Sequence, residues 1–575
     1  MRKPVMTAVA FLAVGSLALT GCGQKNQSSG SSSAGASAKA ASLPLAQINE
    51  KPRDQVKDGG TLRFGISLLP AAWNGLNVEN NNVDLNSTIW WYVGVENFMY
   101  KADGTPVPNK DFLQSYDVKK ASDNGGHQQV TLHLNPNAKW NSGRQIDYTD
   151  YVATWKANNG TNPAFKPATT DGFNQVTSIT KGDKPTDVVI TFKTSYPDWT
   201  SPFSVILPKE GASTPAAFND GWKNFNPNWF AGPFTLDKID KAQKTLTVKR
   251  NDKWWGDKSK LDSVSFKELD DATMTKAFAN KEIDVVDTII TKDGYDTAKK
   301  RTDGQLREAG SLQWRHFTFN TKSQNLTDIK VRQAIVKGIN REAIAKSDLA
   351  GLPVDPASVM LGNHFFMPGQ VGYQDNAGPD SYNPEQAKKD LDAAGWKLNG
   401  SVREKDGKPL TIDYAMLTGV PTSENEGSLL KQNMASIGVK VNLVNTPADS
   451  MNDVLTNHSF GIIAFTWQGT PYPMNNVRQI YGAAAEGSNK PSESNYSQLV
   501  DPRLEKLIAQ IDTEEDPAKR RDLTNQADKI IWDNVMTLPQ YQRVQLTAVP
   551  ANLANYGAST FQASTFKAED VGYQK

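Results

Sequence analysis

Alternation of polar and apolar residues with a period of two marks a series of strands. Thr61-Leu62-Arg63-Phe64-Gly65-Ile66 follows the pair Gly59-Gly60, and Gln129 to Leu134 repeats the pattern. Pro185 to Phe192 and Thr245 to Val248 add two more, and the apolar run Thr88 to Val93, behind a polar cluster from Asn77 to Asn82, predicts another. In the second half the spacing becomes helical. Asn383 stands at an N-cap with Pro384 at the first helical position; Ala387, Leu391 and Ala394 then share a face, and Gly395 stops the helix. Leu429, Leu430, Met434 and Ile437 form a similar face ending at Gly438, directly before the strand Val439 to Leu443. Leu504, Leu507, Ile508 and Ile511 make a further helix, and Asp516-Pro517 opens one that turns Leu523, Ala527 and Ile530 inward. Helix, glycine, strand is the order of an α/β layer. No solenoid-type repeat is present.

The N-terminus follows a different pattern. Arg2 and Lys3 precede an apolar stretch from Val5 to Leu19, which suits a secretory signal and is short for a membrane span. Leu19-Thr20-Gly21-Cys22 then resembles the bacterial lipobox, whose cysteine is acylated after cleavage just before it. Gln27 to Ser42 is Ser, Ala and Gly with almost nothing to pack, so residues 23–57 are expected to be a flexible tether. Cys22 is the only cysteine. With it acylated, the body has no thiol for disulfides, zinc or catalysis.

The body of about 530 residues is too long for one core and implies two or three domains. Lys plus Arg (63) nearly equals Asp plus Glu (62), so no basic excess points to nucleic acid. The five histidines, His127, His133, His316, His364 and His458, show no metal-ligand spacing. No HExxH, GxSxG, Walker A or strand-borne GxGxxG occurs. Pairs such as Asp270-Asp271 read as solvated helix starts. The chain therefore reads as a binder and not an enzyme, with no metal site and no cofactor.

Several segments together resemble the family 5 extracellular solute-binding proteins of ABC transporters, the oligopeptide- and dipeptide-binding type. "VTLHLNPNAKWNSGRQIDYTDYVATW" (Val130 to Trp155) carries that family's strand, aromatic, polar-Gly turn and acidic helix start, with Ser142 where an Asp is usual. "AGPFTLDKID", "VKRNDKWWGDKSKLDSVSFKEL", "AFANKEIDVVD", "FTFNTKSQNLTDIKVRQAIVKGINREAI", "YNPEQAKKDLDAAGW" and "SNYSQLVDPRLEKLIAQ" follow in order along nearly the whole mature chain. Most have scaffold readings. Val331, Ala334, Ile335 and Ile339 form one apolar face, and Arg332 suits a salt bridge better than a ligand contact. The resemblance implies an α/β, two-lobed periplasmic-binding-protein-like fold (class II, cluster C type) with an extra inserted N-terminal domain. Its parts would be a signal peptide and lipobox (1–22), the tether (23–57), lobe I (58–92, 232–308 and 545–575), an inserted domain II (93–231) and lobe III (309–544). The chain would cross between lobes near Gly310 and Gln542, and closure about these crossings would bury the ligand.

By the same resemblance, a lobe III loop in peptide-binding relatives carries an aspartate for the ligand's ammonium. Here the strand Phe460 to Phe465 leads into Trp467-Gln468-Gly469-Thr470-Pro471-Tyr472, with Thr470 at the aspartate position. A hydroxyl cannot neutralise a buried ammonium. Either another acid substitutes, with Glu79 the candidate, or the ligand lacks the amine. The expected ligand-binding set is Glu79, Asn80, Trp90, Trp467, Gln468, Gly469, Thr470 and Tyr472, with Cys22 as the lipid attachment. The implied function is a monomeric substrate-binding protein that captures oligopeptides or dipeptides for an ABC permease and its ATPase. It would be exported and anchored to the outer face of the cytoplasmic membrane, in the periplasmic space if an outer membrane is present. A binder of another solute, such as an oligosaccharide or a metal chelate, is the alternative; stacked Trp and Tyr rings would favour sugars.

Overall fold

The computed structural model describes residues 43–575 apart from 81, 83, 379–381 and 562–566. The lipobox with Cys22 and most of the expected tether lie outside the described residues. Three sheets organise the chain. In the first, Thr61–Ile66 runs parallel to Ser263–Glu268, and Thr245–Arg250 and Phe234–Asp240 extend the sheet antiparallel. Its inward positions, Leu62, Phe64, Leu246, Val248, Val264 and Phe266, are almost fully buried, as the period-two pattern requires.

The second sheet is antiparallel, in the order Leu113–Lys119, Gln129–Leu134, Asp187–Phe192, Val176–Lys181. Helix Tyr148–Asn158 packs on it, started by Asp147, whose carboxylate accepts from the Thr149 N–H. The signature segment is scaffold here. Gly143 takes φ +88° in the turn, and Trp140 Nε1 and Arg144 both donate to the buried Asp150.

The third sheet has the order Lys440–Pro447, Thr411–Thr418, Ile462–Gln468, Gly304–Phe319, Thr537–Pro550. The first three run parallel, and helices Ile329–Gly338, Pro384–Ala393 and Pro421–Ser436 bury their apolar faces against the layer. Arg332 departs from expectation. Among the described residues its guanidinium makes no salt bridge; it donates to the carbonyls of Leu326, Thr327 and Asn534, joining two helix ends. Gly304–Phe319 and Thr537–Pro550 are long enough to leave the third sheet and reach the first, where Val286 bridges Ala548. Their pairing slips between Gly310 and Trp314, so Ser311, Leu312 and Gln313 bulge from the ladder.

Two expectations need correction. Thr88 to Val93 is not a strand. Leu85–Ile89 is a π-helical turn that runs into the helix Trp90–Val93, and all four residues of that helix are buried. A short run apolar on every side carries no period that separates strand from buried helix. Residues 43–57 are not tether. Ala46–Gln47 pairs with Ala558–Ser559, the Pro44 carbonyl accepts from the Gly310 N–H at 2.9 Å, and Val56 is fully buried. A few apolar residues, Leu43, Leu45, Ile48 and Val56, are enough to dock this segment.

Candidate ligand-binding cleft

A cavity of about 540 Å³ opens where the first sheet, the bulge and the third sheet meet. The carboxyl ends of strands Thr61–Ile66 and Ile462–Gln468 both point into it, the usual place for a ligand in open α/β sheets. The floor is the bulge Ser311 to Gln313. Gly469 lies on that floor. Its N–H donates to the Leu312 carbonyl at 2.9 Å, and a Cβ on it would sit 2.9 Å from the same oxygen, closer than a side chain tolerates.

Of the expected residues, Gln468, Gly469 and Thr470 line this cleft. The Thr470 hydroxyl accepts the Tyr472 N–H at 3.2 Å, so it braces its own loop. Glu79, Asn80, Trp90, Trp467 and Tyr472 are not among the lining residues. Glu79 forms an exposed ion pair with Lys166 at 2.7 Å, and Asn80 turns back on Asn77. Trp90 is buried among Trp222 and Phe230. Its neighbour Trp91 faces the cleft instead, because one helical residue rotates the side chain by about 100°. The Trp467 ring lies between His316 and Tyr496, nearly parallel to both at 5.8 and 5.9 Å. The Tyr472 hydroxyl bonds Tyr100 at 3.0 Å and accepts from Thr200 at 2.9 Å.

The sequence reading missed the carboxylates of the cleft. Asp84, Glu96, Asp271 and Asp287 line it, and among the described residues no Lys or Arg does. Burial pushes the Glu96 carboxyl up to about 8, with one hydrogen bond from Ser204 opposing the shift. Asp287 is raised to about 6 by burial, although the Tyr556 hydroxyl donates to it. Asp84 is raised by burial too, against the Leu68 N–H it accepts at 2.9 Å. All three are thus acids held short of cationic partners. Asp287 closes the quoted segment "AFANKEIDVVD", so one signal was available; nothing near Glu96 singled it out. Among the described residues no group of His, Cys, Asp and Glu converges to hold a metal ion.

Residues 102–489 match the profile "Bacterial extracellular solute-binding proteins, family 5 Middle". The oligopeptide-binding protein OppA of Mycobacterium tuberculosis H37Rv is 34% identical over 526 residues, which cover 91% of this chain and 86% of OppA. The periplasmic EDTA-binding protein EppA superposes with a TM-score of 0.80 at 21% identity, covering 92% of this chain and 99% of EppA. The oligopeptide-binding protein AppA from Bacillus subtilis, in complex with a nonapeptide, gives 0.69 at 19% identity, covering 90% of this chain and all (100%) of AppA.

Proposed function

Because this chain belongs to the family 5 bacterial extracellular solute-binding proteins, we propose that its cleft captures an oligopeptide and hands it to an ABC importer. The observation that carries this reading is the charge of the cleft. Its lining offers Asp84, Glu96, Asp271 and Asp287 and, among the described residues, no cation. Such a lining suits a ligand with an ammonium group and repels a polyanion. A chelate such as the EDTA named for EppA would meet the carboxylates Asp84, Asp271 and Asp287 there and no cationic partner among the lining residues. A peptide's backbone can pair with main-chain groups at the edge of a binding cleft, which gives affinity without side-chain selectivity.

In this reading the ammonium is met by Glu96, beside Ser204 of the second-sheet segment, and by Asp287, and Thr470 has no carboxylate to supply. The two strands that pass between the sheets form the hinge, and the bulge at Ser311 to Gln313 is where they bend. A permease and an ATPase take the cargo, the protein acts as a monomer, and lipidated Cys22 holds it at the membrane. The family and its relatives are binding proteins and not enzymes.

Calorimetry on paired peptides, free and N-acetylated, tests the charge reading. The free peptide should bind at least tenfold tighter than its acetylated twin, about 1.4 kcal/mol. Glu96→Gln and Asp287→Asn should shrink that ratio, while Glu79→Gln leaves it unchanged. A free-amine preference that survives both cleft substitutions sinks the assignment of these acids. For the anchor, Cys22→Ala should release protein to the medium or leave uncut precursor; membrane retention of the processed variant argues against lipidation.

A further inference from the structure

An α-ammonium held by Glu96 and Asp287 leaves Asp84 and Asp271 facing the cleft. Among the described residues neither of these two carboxylates has a Lys, Arg or His partner. Both stand near the carboxyl end of strand Thr61–Ile66. The Asp84 carboxylate accepts from the Leu68 N–H at 2.9 Å, two residues past the strand. The Leu269 N–H donates to the Ile66 carbonyl at 2.9 Å, two residues before Asp271.

Apolar side chains share this end of the cleft. Asp271 opens the helix Asp271–Ala279, whose Met274 covers Gly65 of the strand so closely that a Cβ there would not fit. Ile290 stands two residues before the helix Lys292–Ala298, which packs on Asp271–Ala279. Ile66, Met274 and Ile290 all line the cleft. Among the described residues Ile290 is one of the few large apolar side chains left exposed. Apolar surface that ends at carboxylates complements a lysine or arginine side chain, whose methylene stem packs on the first while its charged head reaches the second.

Resting on the peptide reading of the cleft, we propose that this end is a subsite for a basic side chain of the captured peptide. Ile66, Met274 and Ile290 cover the stem, and Asp84 and Asp271 meet the head. Closure expels water, and a carboxylate shut in without a cation is costly to keep. A peptide whose only cation is its α-amine serves Glu96 and Asp287 and leaves the other two acids unmatched. A peptide that also carries lysine or arginine serves all four. A neutral side chain covers the isoleucine but strands the acids, and an acidic one adds repulsion.

The experiment is calorimetry with free-amine alanine pentapeptides that carry one guest residue, placed at each position in turn. The guest is lysine, glutamate or norleucine, which keeps the lysine stem and drops the charge. The readout is the lysine-to-norleucine affinity ratio at each position, for wild type, Asp84→Asn, Asp271→Asn and the double variant. Wild type should prefer lysine at least tenfold at one position and bind the glutamate peptide weakest there. The double variant should bring that ratio to within threefold of unity, with each single variant between. Asparagine is close to isosteric with aspartate, and its amide oxygen still accepts the Leu68 N–H, so the fold is kept. Ile290→Ser should weaken the lysine and norleucine peptides alike. Equal affinity for lysine and norleucine at every position overturns the subsite and leaves peptide capture intact. A lysine preference spread evenly over all positions, or one that survives the double substitution, overturns it as well. A wild type that binds none of these peptides overturns peptide capture itself, and the subsite falls with it.

Discussion

On the proposed reading, a proton and a ligand ammonium compete for the Glu96 carboxylate. Burial lifts this group from 4.5 to about 8, so at pH 7 the ligand-free protein holds the proton. An arriving ammonium stabilises the ionised form and expels that proton. Affinity for a free-amine peptide should therefore rise as the pH climbs from about 6 towards 8, and flatten as the ligand's own α-amine titrates near 7.7–8.0. Titrations in two buffers of different ionisation enthalpy should report proton release at pH 7, and Glu96→Gln should abolish it. A buffer-independent binding heat counts against ammonium at this acid. A second prediction concerns Arg315 and Glu426, bonded at 3.0 Å and both almost wholly buried. Glu426→Ala strands the guanidinium and should cost about 3–5 kcal/mol in urea unfolding; a loss below about 1 kcal/mol would show that the interior solvates Arg315 by other means. Residue roles were the least legible part of the sequence. Which of two adjacent tryptophans faces the cleft, or which acid of a polar loop meets a lysine, depends on helix phase and on partners far along the chain. Trp90 and Trp91 differ by one rotation, and Glu79 is claimed by Lys166, 87 positions away.

Elements were far more legible, where local chemistry settles them. The helix Pro384–Ala393 is capped by Asn383, which accepts from the Gln386 N–H, and ends before Gly395 at φ +87°; both were readable from residue type. The reading broke where neighbours decide, as in the buried helix Trp90–Val93 and in the docked stretch after residue 42. The bulge belongs to this second kind, because only the slipped pairing reveals it. It depends on a glycine. A Cβ on Gly310 would come within 2.6 Å of Gln542 Nε2, the atom that donates to the Ser311 carbonyl at 2.8 Å. Gly310→Ala should push that amide aside and cost about 1 kcal/mol, read as a lower melting temperature. A melting temperature at or above the wild-type value would mean that the Gln542 bond contributes nothing.

Across the whole molecule, the second-sheet segment and the third-sheet body are fastened by a buried, bidentate pair. Arg520 donates to both oxygens of Asp198, at 2.7 and 2.6 Å. If the lobes part on opening, this pair parts with them, and its strength enters the balance between open and closed. Asp198→Ala should leave Arg520 unpaired in the closed form, weaken peptide binding at least tenfold and expand the ligand-free protein in small-angle scattering. Unchanged scattering and affinity together would place the pair outside the motion. The fold class was legible at this scale because many weak signals agree in order along the chain. The fastening was not, because its partners lie 322 residues apart.

The docked segment from Leu43 to Gln47 has a mechanical consequence. It lies against the connecting strand Gly304–Phe319 just before the bulge, with the Pro44 carbonyl on the Gly310 N–H and the Gln47 side chain on the Glu308 N–H. In any rotation, displacement grows with distance from the axis, so the place that travels least is the pivot. If the connecting strands are the pivot, a line tied to Leu43, as the proposed anchor at Cys22 would tie it, pulls on the stillest point. The two jaws could then swing without hauling on the line, and tension from the line would pass into the pivot and exert almost no torque on the grip.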